Sequence, residues 1–388
     1  MTMADRWLLP DGVDEALPLQ ASKIESLRRN LLDLHKSWGY QLVIPPLLEY
    51  LDSLLTGAGS DLELETFKVT DQLSGRMMGI RADFTSQVAR IDAHCLKSEG
   101  VQRLSYCGSV LRTTPAGLDG TRSPIQLGAE LYGDDTQSAD VEIISLMLET
   151  VFSAGLQGVV LDLGHIDIVR GVMSAAGIDQ DVEKKISELY RGKSLPELEA
   201  FVAELSIDPR AATWLLALPR LCGGRETLVQ AGQVLAGVSE AVTEALANLQ
   251  SIADIISTRF PSVGLHFDLS DMDSYSYHTG VVFAAYVPGH GNAVARGGRY
   301  DNIGEVFGRL RAATGFSTDV KALVSLANPA ADSCVKVRAP QSVDNLLWQA
   351  ICALRAEGYQ VVQADNGSAG FDKELVLVAD RWQLRDVE

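Results

Sequence analysis

The chain has 388 residues, more than the ~100–200 of one ordinary domain, so two domains or a large core with an appendage are expected. With 46% hydrophobic and 22% charged residues it has an ordinary soluble composition, and no stretch supplies the ~20 uninterrupted apolar residues of a membrane-spanning helix. The net charge of −18, from 33 basic and 51 acidic residues, repels phosphate backbones and argues against a nucleic-acid partner.

The polar start MTMADRWLLPDG is unlike a secretion signal, so a cytoplasmic location is expected, with no membrane partner. Residues 22–38 carry Ile24, Leu27, Leu31, Leu34 and Trp38 at steps of three and four, which predicts an amphipathic helix ending at Gly39. YQLVIPPLLEY predicts a short strand stopped by Pro45 and Pro46, with another helix beginning at the proline pair. In IRADFTSQVARIDAHCL a strand end feeds a helix, with Thr85 as N-cap or first-turn residue ahead of Val88, Ile91 and Cys95. Residues 110–133 read as strand, polar loop and strand, and in the second arm Ile125, Leu127, Ala129 and Leu131 alternate with Gln126, Gly128, Glu130 and Tyr132.

A helix near 138–154 and the strand GVVLDLGH follow, and from about 168 to 257 the pattern is almost wholly helical, an inserted module. Strands resume with VGLHFDLS, TGVVFAAYV and the glycine-rich PGHGNAVARGGRYDN. No G-x-G-x-x-G follows a strand, so the order predicts an α+β antiparallel sheet flanked by helices rather than a dinucleotide-binding fold. The core extends over 1–326, a small-residue linker over 327–333, and a small C-terminal α/β domain of strand, helix, strand, strand over 334–388.

Five scattered cysteines without a C-x-x-C pair and six histidines without an H-x-x-x-H give neither a disulfide framework nor a metal site, and no cofactor is expected. Four constellations remain, each with a plain structural alternative. Arg112, Arg122, Gln126 and Glu130 form a ligand-facing cluster or the solvated face of a sheet. ARGGRYD marks a close backbone approach or a tight turn. DSYSYHTG, with Tyr275, Tyr277 and His278, holds a polar ring or packs on a strand. Asp83 and Thr85 bind a ligand or cap a helix.

Taken in order, these segments resemble the class II aminoacyl-tRNA synthetase core, and within it the histidyl-tRNA synthetase family. GYQLVIPPLLEY is similar to the dimer-forming motif 1, YCGSVLRTTPAGLDGTRSPIQLGAELYG to motif 2, and TGFSTDVKAL to motif 3, with RADFT, SYHTGVVF and GGRYDNIGEVFG at the family's intervening signatures. The resemblance covers the chain to about residue 326. It implies that Asp83, Thr85 and Gln126 receive an α-amino group, that Glu130 meets an imidazole nitrogen, and that Tyr277 or His278 flanks the ring. Arg112 keeps the motif 2 arginine and is expected among the histidine-binding residues.

The departures lie where ATP would react. Thr114 stands for an expected glutamate, Lys321-Ala322 for a Glu-Arg pair, Asp319 for a glycine and Asp273 for an arginine. Each lost charged hydrogen bond removes roughly 1.5–3 kcal/mol, so the expectation is a chain with no catalytic residues and with Thr114, Asp273 and Ala322 as degenerate catalytic positions. A synthetase core with a silent ATP site and a retained histidine pocket resembles the regulatory subunits of ATP phosphoribosyltransferase. That likeness implies a homodimer within a hetero-oligomer, a hetero-octamer, with the short-form catalytic subunit of histidine biosynthesis as partner. Free histidine would be its ligand and feedback signal. A divergent histidyl-tRNA synthetase, or a histidine sensor with another partner, is the alternative.

Overall fold

The computed structural model describes residues 7–56, 60–115, 120–272, 278–329, 334–365 and 368–387; Asp273, Tyr275 and Tyr277 lie outside them. Its backbone divides into two compact units, Met1–Pro329 and Ala330–Glu388.

In the first unit α1 (Pro18–Ser37) begins with a proline at a position that needs no N–H, and Gly39 follows its end at φ +86°. Its buried stripe is Ile24, Leu27, Leu31 and His35. Leu34 and Trp38 are only half-buried, because His35 faces the core and lies 3.1 Å from Thr150 Oγ1. After β1 (Gln41–Leu42) the proline pair leads into a strand, not the expected helix: β2 (Leu48–Tyr50) precedes α2 (Leu51–Leu55). Arg81 donates to Pro45 O at 2.9 Å and Gln87 to Pro46 O at 2.8 Å, which fixes the extended path that X-Pro sequences favour.

Then come α3 (Ser60–Glu65), β3 (Phe67–Thr70) and β4 (Met77–Ile80), giving a three-stranded sheet in the order β2-β4-β3. Helix α4 (Thr85–Arg90) runs on as a π-helix over Ile91–Leu96. The wider turn rotates the stripe, so Val88 is buried while Ile91 is half-buried and Cys95 is exposed, against the expected pattern.

The principal sheet is assembled from β5 (Gln102–Ser109) and β6 (Ile125–Tyr132), followed by α5 (Gln137–Ser153), β7 (Val160–His165) and α6 (Ile166–Ala175). Helices α7 (Gln180–Arg191), α8 (Leu195–Glu204) and α9 (Pro209–Ala217) precede β8 (Cys222–Gly223), α10 (Glu226–Val234) and α11 (Glu240–Arg259). The segment expected to be almost wholly helical thus contains a strand, two residues long and too short to leave a period in the sequence. After β9 (Gly264–Asp268), β10 (Val281–Tyr286), β11 (Ala295–Arg299), β12 (Ala313–Asp319) and α12 (Val320–Ala327) the unit closes. Strand order is β1-β5-β6-β12-β11-β10-β7-β9-β8, antiparallel except for the β1·β5 and β7·β9 pairs.

Helices α1, α5, α6 and α11 cover one sheet face through a core that includes Leu31, Leu127, Ile143, Leu161 and Ile252. On the other face, over β5, β6 and β12, a smaller cluster gathers Phe84, Val88, Leu104, Tyr106, Tyr132, Tyr300 and Phe307. Both faces of β6 are therefore buried, which overturns the solvated-face alternative. The paired glycines of ARGGRYD lie within β11, not in a tight turn. A Cβ on Gly297 would overlap the Gly315 carbonyl, and one on Gly298 would overlap the His278 ring.

The second unit holds β13 (Lys336–Ala339), α13 (Asn345–Ala356), β14 (Gln360–Gln363), β15 (Lys373–Val378) and β16 (Arg381–Asp386), ordered β14-β13-β15-β16. It has one strand more than expected. Ala379 and Asp380, at φ +47° and +62°, make a two-residue hairpin without the glycine that usually signals it. Its core is Val337, Ala339, Leu347, Ile351, Val361 and Leu375. Ala327, expected in the linker, ends α12, and residues 330–333 lie outside the described set. Among the described residues no helix is long and apolar enough to cross a membrane, and no group of three His, Cys, Asp or Glu gathers as for a metal.

Candidate functional site

Glu130 is 2% exposed and points from β6 into the aromatic cluster, yet its carboxylate is surrounded by hydroxyl donors. Tyr106 OH reaches Oε1 at 3.1 Å, Thr85 Oγ1 reaches it at 3.3 Å, and Tyr300 OH donates to Oε2. Gly315 lies opposite Glu130 in the β6·β12 register, and any Cβ there would overlap Oε2. Glycine at that position is what gives the carboxylate its place. Burial pushes Glu130 up to about 8, opposed by the Tyr300 hydrogen bond and reinforced by the Asp83 charge.

Asp83 and Gln126 continue the site along the same surface. Gln126 Nε2 donates to Asp83 Oδ2 at 3.3 Å, and Thr85 donates to Asp83 through its N–H at 3.2 Å and its hydroxyl at 3.1 Å. Thr85 is the first residue of α4, so Asp83 accepts the first N–H of that helix while it faces the site. Gln126 is 4% exposed and its Oε1 is buried without a hydrogen-bond partner among the described residues. A buried orphan acceptor beside a carboxylate suits a ligand that brings N–H donors. His278 is buried against Gly298, which pairs with Gly315, so its imidazole lies over the sheet next to the strand pair that carries Glu130. Tyr277 lies outside the described residues.

Arg112 does not join this cluster. Its Nε donates to Ala82 O at 3.3 Å and lies 3.8 Å from a Glu65 oxygen. Arg122, ahead of the strand rather than on it, donates to the Arg112 carbonyl at 3.0 Å and to Asp11 O at 3.0 Å. Lys321 is 3.1 Å from both Asp14 oxygens, and Asp14 also takes hydrogen bonds from Thr121 and Ser123. Asp319 caps α12 by accepting from Lys321 N at 3.0 Å and also accepts from Ile125 N at 3.1 Å. Burial pushes the Asp319 carboxyl up, with these backbone donors and the Lys321 and Arg112 charges pulling the other way. Thr114 is exposed, Ala322 is half-buried in the first turn of α12, and Asp273 lies outside the described residues. The cations of this end are thus tied to the chain's own carboxylates and carbonyls.

A pH effect follows from Glu130. Its folded-state value is raised above the ordinary 4.5, so between 4.5 and about 8 the folded protein binds more protons than the unfolded chain. Stability from this group is full at low pH and is lost as pH climbs through that window. Glu130→Gln should therefore unfold at a higher temperature than the parent at pH 8.5, by roughly 1–2 °C for each kcal/mol released from a unit of this size, with the gap closing at pH 5. Thermal unfolding from pH 5 to 9 checks this; parallel pH dependences in the two proteins would refute it.

Sequence reasoning missed three contributors. Tyr106 and Tyr300 stood within quoted motifs, but their parity relative to Glu130 depends on strand pairings that one strand alone does not reveal. Asp14 had no signal, since its partner Lys321 lies 307 positions away.

The comparisons divide along the same lines as the fold. Residues 12–323 match the family model "Histidyl-tRNA synthetase", and residues 334–385 match "ATP phosphoribosyltransferase subunit HisZ C-terminal domain". A crystal structure from Bacillus halodurans, an ATP phosphoribosyltransferase regulatory subunit/histidyl-tRNA synthetase, superposes with TM-score 0.82 at 27% identity over 95% of each chain. A histidyl-tRNA synthetase from Nostoc sp. superposes with TM-score 0.79 at 16% identity over 98% of this chain and 94% of that one, a likeness of fold. The ATP phosphoribosyltransferase regulatory subunit of Marinomonas sp. is 65% identical over the whole of both chains, and that of Ectopseudomonas mendocina is 52% identical over 99% of each. With its synthetase-like core and its C-terminal unit both accounted for, the chain belongs to the ATP phosphoribosyltransferase regulatory subunit family.

Proposed function

We propose that the chain is a regulatory subunit without catalysis of its own, which activates a separate short-form ATP phosphoribosyltransferase catalytic subunit and transmits feedback inhibition by histidine. The observation that carries this is the division of the site. Acceptors at buried Glu130 and Gln126 and at half-buried Asp83 remain arranged for a small cationic ligand, while at the other end Asp14 holds Lys321 and Asp319 caps the helix start. Free histidine matches the first half: its ammonium group suits Asp83 and Gln126, and its imidazole suits Glu130. A polyphosphate is disfavoured in the second half, where carboxylates already stand. The coupling would be reciprocal, so substrates of the catalytic partner must change histidine affinity by the same factor that histidine changes theirs.

The assembly would be a homodimer within a hetero-octamer. Leu42, Ile44, Leu47, Leu48 and Tyr50 are all exposed along β1, the proline pair and β2, an apolar row of the kind that subunit contacts cover.

Adding this chain to the purified catalytic subunit should raise phosphoribosyl transfer at least tenfold, and histidine should remove that gain. The chain alone should catalyse no histidine-dependent ATP–pyrophosphate exchange. An unchanged rate on mixing rejects the regulatory reading, and measurable exchange favours the synthetase alternative.

A further inference from the structure

At the far end of the principal sheet, on the same face as Glu130, three neighbouring strands bring together a thiol, an imidazole and a carboxylate. Cys222 is exposed on edge strand β8, and its Sγ lies 3.5 Å from His266 Nε2 on β9. The other ring nitrogen, His266 Nδ1, lies 2.9 Å from Asp162 Oδ1 on β7. The register fixes this arrangement: Asp162 pairs with His266, and Cys222 pairs with Asp268 two residues further along β9. Asp162 is largely covered, so it can hold the ring with the Nδ1 proton directed to itself and leave Nε2 free to accept from the thiol. None of these residues belongs to the pocket around Glu130.

A nucleophile, a base within reach and a carboxylate that orients the base are the parts of an activated side chain. We propose that Cys222, served by His266 and Asp162, is a nucleophilic thiol and a site of oxidation by hydrogen peroxide. The thiol proton passes to His266 Nε2 as sulfur attacks one peroxide oxygen. An S–O bond forms, the O–O bond breaks, and the departing hydroxide takes the proton from His266 and leaves as water. Sulfur is oxidised by two electrons to a sulfenic acid and the peroxide is reduced.

Partial burial and the Asp268 and Asp162 carboxylates push the resting thiol up, while Lys193, 2.6 Å from Asp268 Oδ2, pulls it down. The resting group is therefore S–H, and the proton acceptor carries the chemistry. Among the described residues Cys222 is the cysteine with an imidazole hydrogen-bond partner, whereas Cys95, Cys334 and Cys352 are also exposed but have none, and Cys107 is partly covered.

The chain thus contains its own controls. The full-length protein would be treated with substoichiometric hydrogen peroxide, trapped with dimedone and mapped by peptide mass spectrometry. Cys222 should be labelled at least tenfold faster than Cys95, Cys334 or Cys352. His266→Gln should bring it down to their rate, and Asp162→Asn should lower it less. Continued protection of Cys107 shows that each variant is folded. If Cys222 reacts no faster than the other exposed thiols, or if His266→Gln leaves its lead intact, the proposal fails.

Discussion

Replacing Glu130 with glutamine should weaken free histidine binding by about 10- to 150-fold at pH 7.5, the range set by the ~1.5–3 kcal/mol of one charged hydrogen bond. The substitution keeps the shape and the three hydroxyl neighbours, Thr85, Tyr106 and Tyr300, so the loss reports charge and proton transfer rather than collapse. At that pH Glu130, pushed up to about 8, is largely protonated, and the histidine imidazole is largely neutral. Bringing them together lets the proton cross, giving a carboxylate against an imidazolium without net uptake from solvent. Glutamine cannot do this. Titration calorimetry in buffers of different ionisation enthalpy measures both affinity and proton balance. In the mixed complex the variant should still stimulate the catalytic subunit while escaping histidine inhibition. Unchanged histidine affinity would remove Glu130 from the site.

Arg299→Ala should destabilise the first unit by about 3–5 kcal/mol, the usual cost of leaving one partner of a buried ion pair alone. Arg299 at the end of β11 is 7% exposed and Asp140 on α5 is 3% exposed. The guanidinium also donates to Asp134 O and Thr136 O, each at 3.2 Å, and to Asp301 at 3.2 Å. It therefore fixes the start of α5, just beyond β6, onto the strand that pairs with β12. Burial raises the Asp140 carboxyl while Arg299 opposes that rise, so without the arginine Asp140 would take up a proton in place of its lost partner. The deficit should shrink from pH 7.5 to pH 5, and the double variant Arg299→Met with Asp140→Leu should recover most of it. Urea unfolding monitored by tryptophan fluorescence measures all three. A loss below about 1 kcal/mol would mean that the pair is solvent-screened and contributes little.

The strands and helices of the core were legible because their apolar periods are long. Residues 137–153 and 240–259 form the expected helices, and 125–132 forms the expected strand. What failed was short or depended on partners distant in the chain. The proline pair predicts a helix start, because local sequence does not show that Arg81 and Gln87 hold it extended. The two-residue β8 and the hairpin at Ala379–Asp380 had no period or turn glycine to announce them.

The site divides in the same way. Asp83, Thr85, Gln126 and Glu130 lie in ordered motifs and meet in space, whereas Arg112, expected in the same ligand-facing cluster as Glu130, turns to Ala82 and Glu65. Strand parity tells which side a residue takes, but not how far a long flexible cation reaches or what it meets. Tyr300 completes the Glu130 cluster from a strand end that only the register of β11 on β12 brings near.

The Asp14 and Asp319 contacts bear on history as well as chemistry. If this end of the core descends from one that handled nucleotide, an arginine restored at position 322 would find the start of α12 capped by Asp319 and its neighbour Lys321 held by Asp14. Each single reversal would then disturb a satisfied contact before a nucleotide could repay it. Under that descent, nucleotide handling could return to this end only through several individually unfavourable steps.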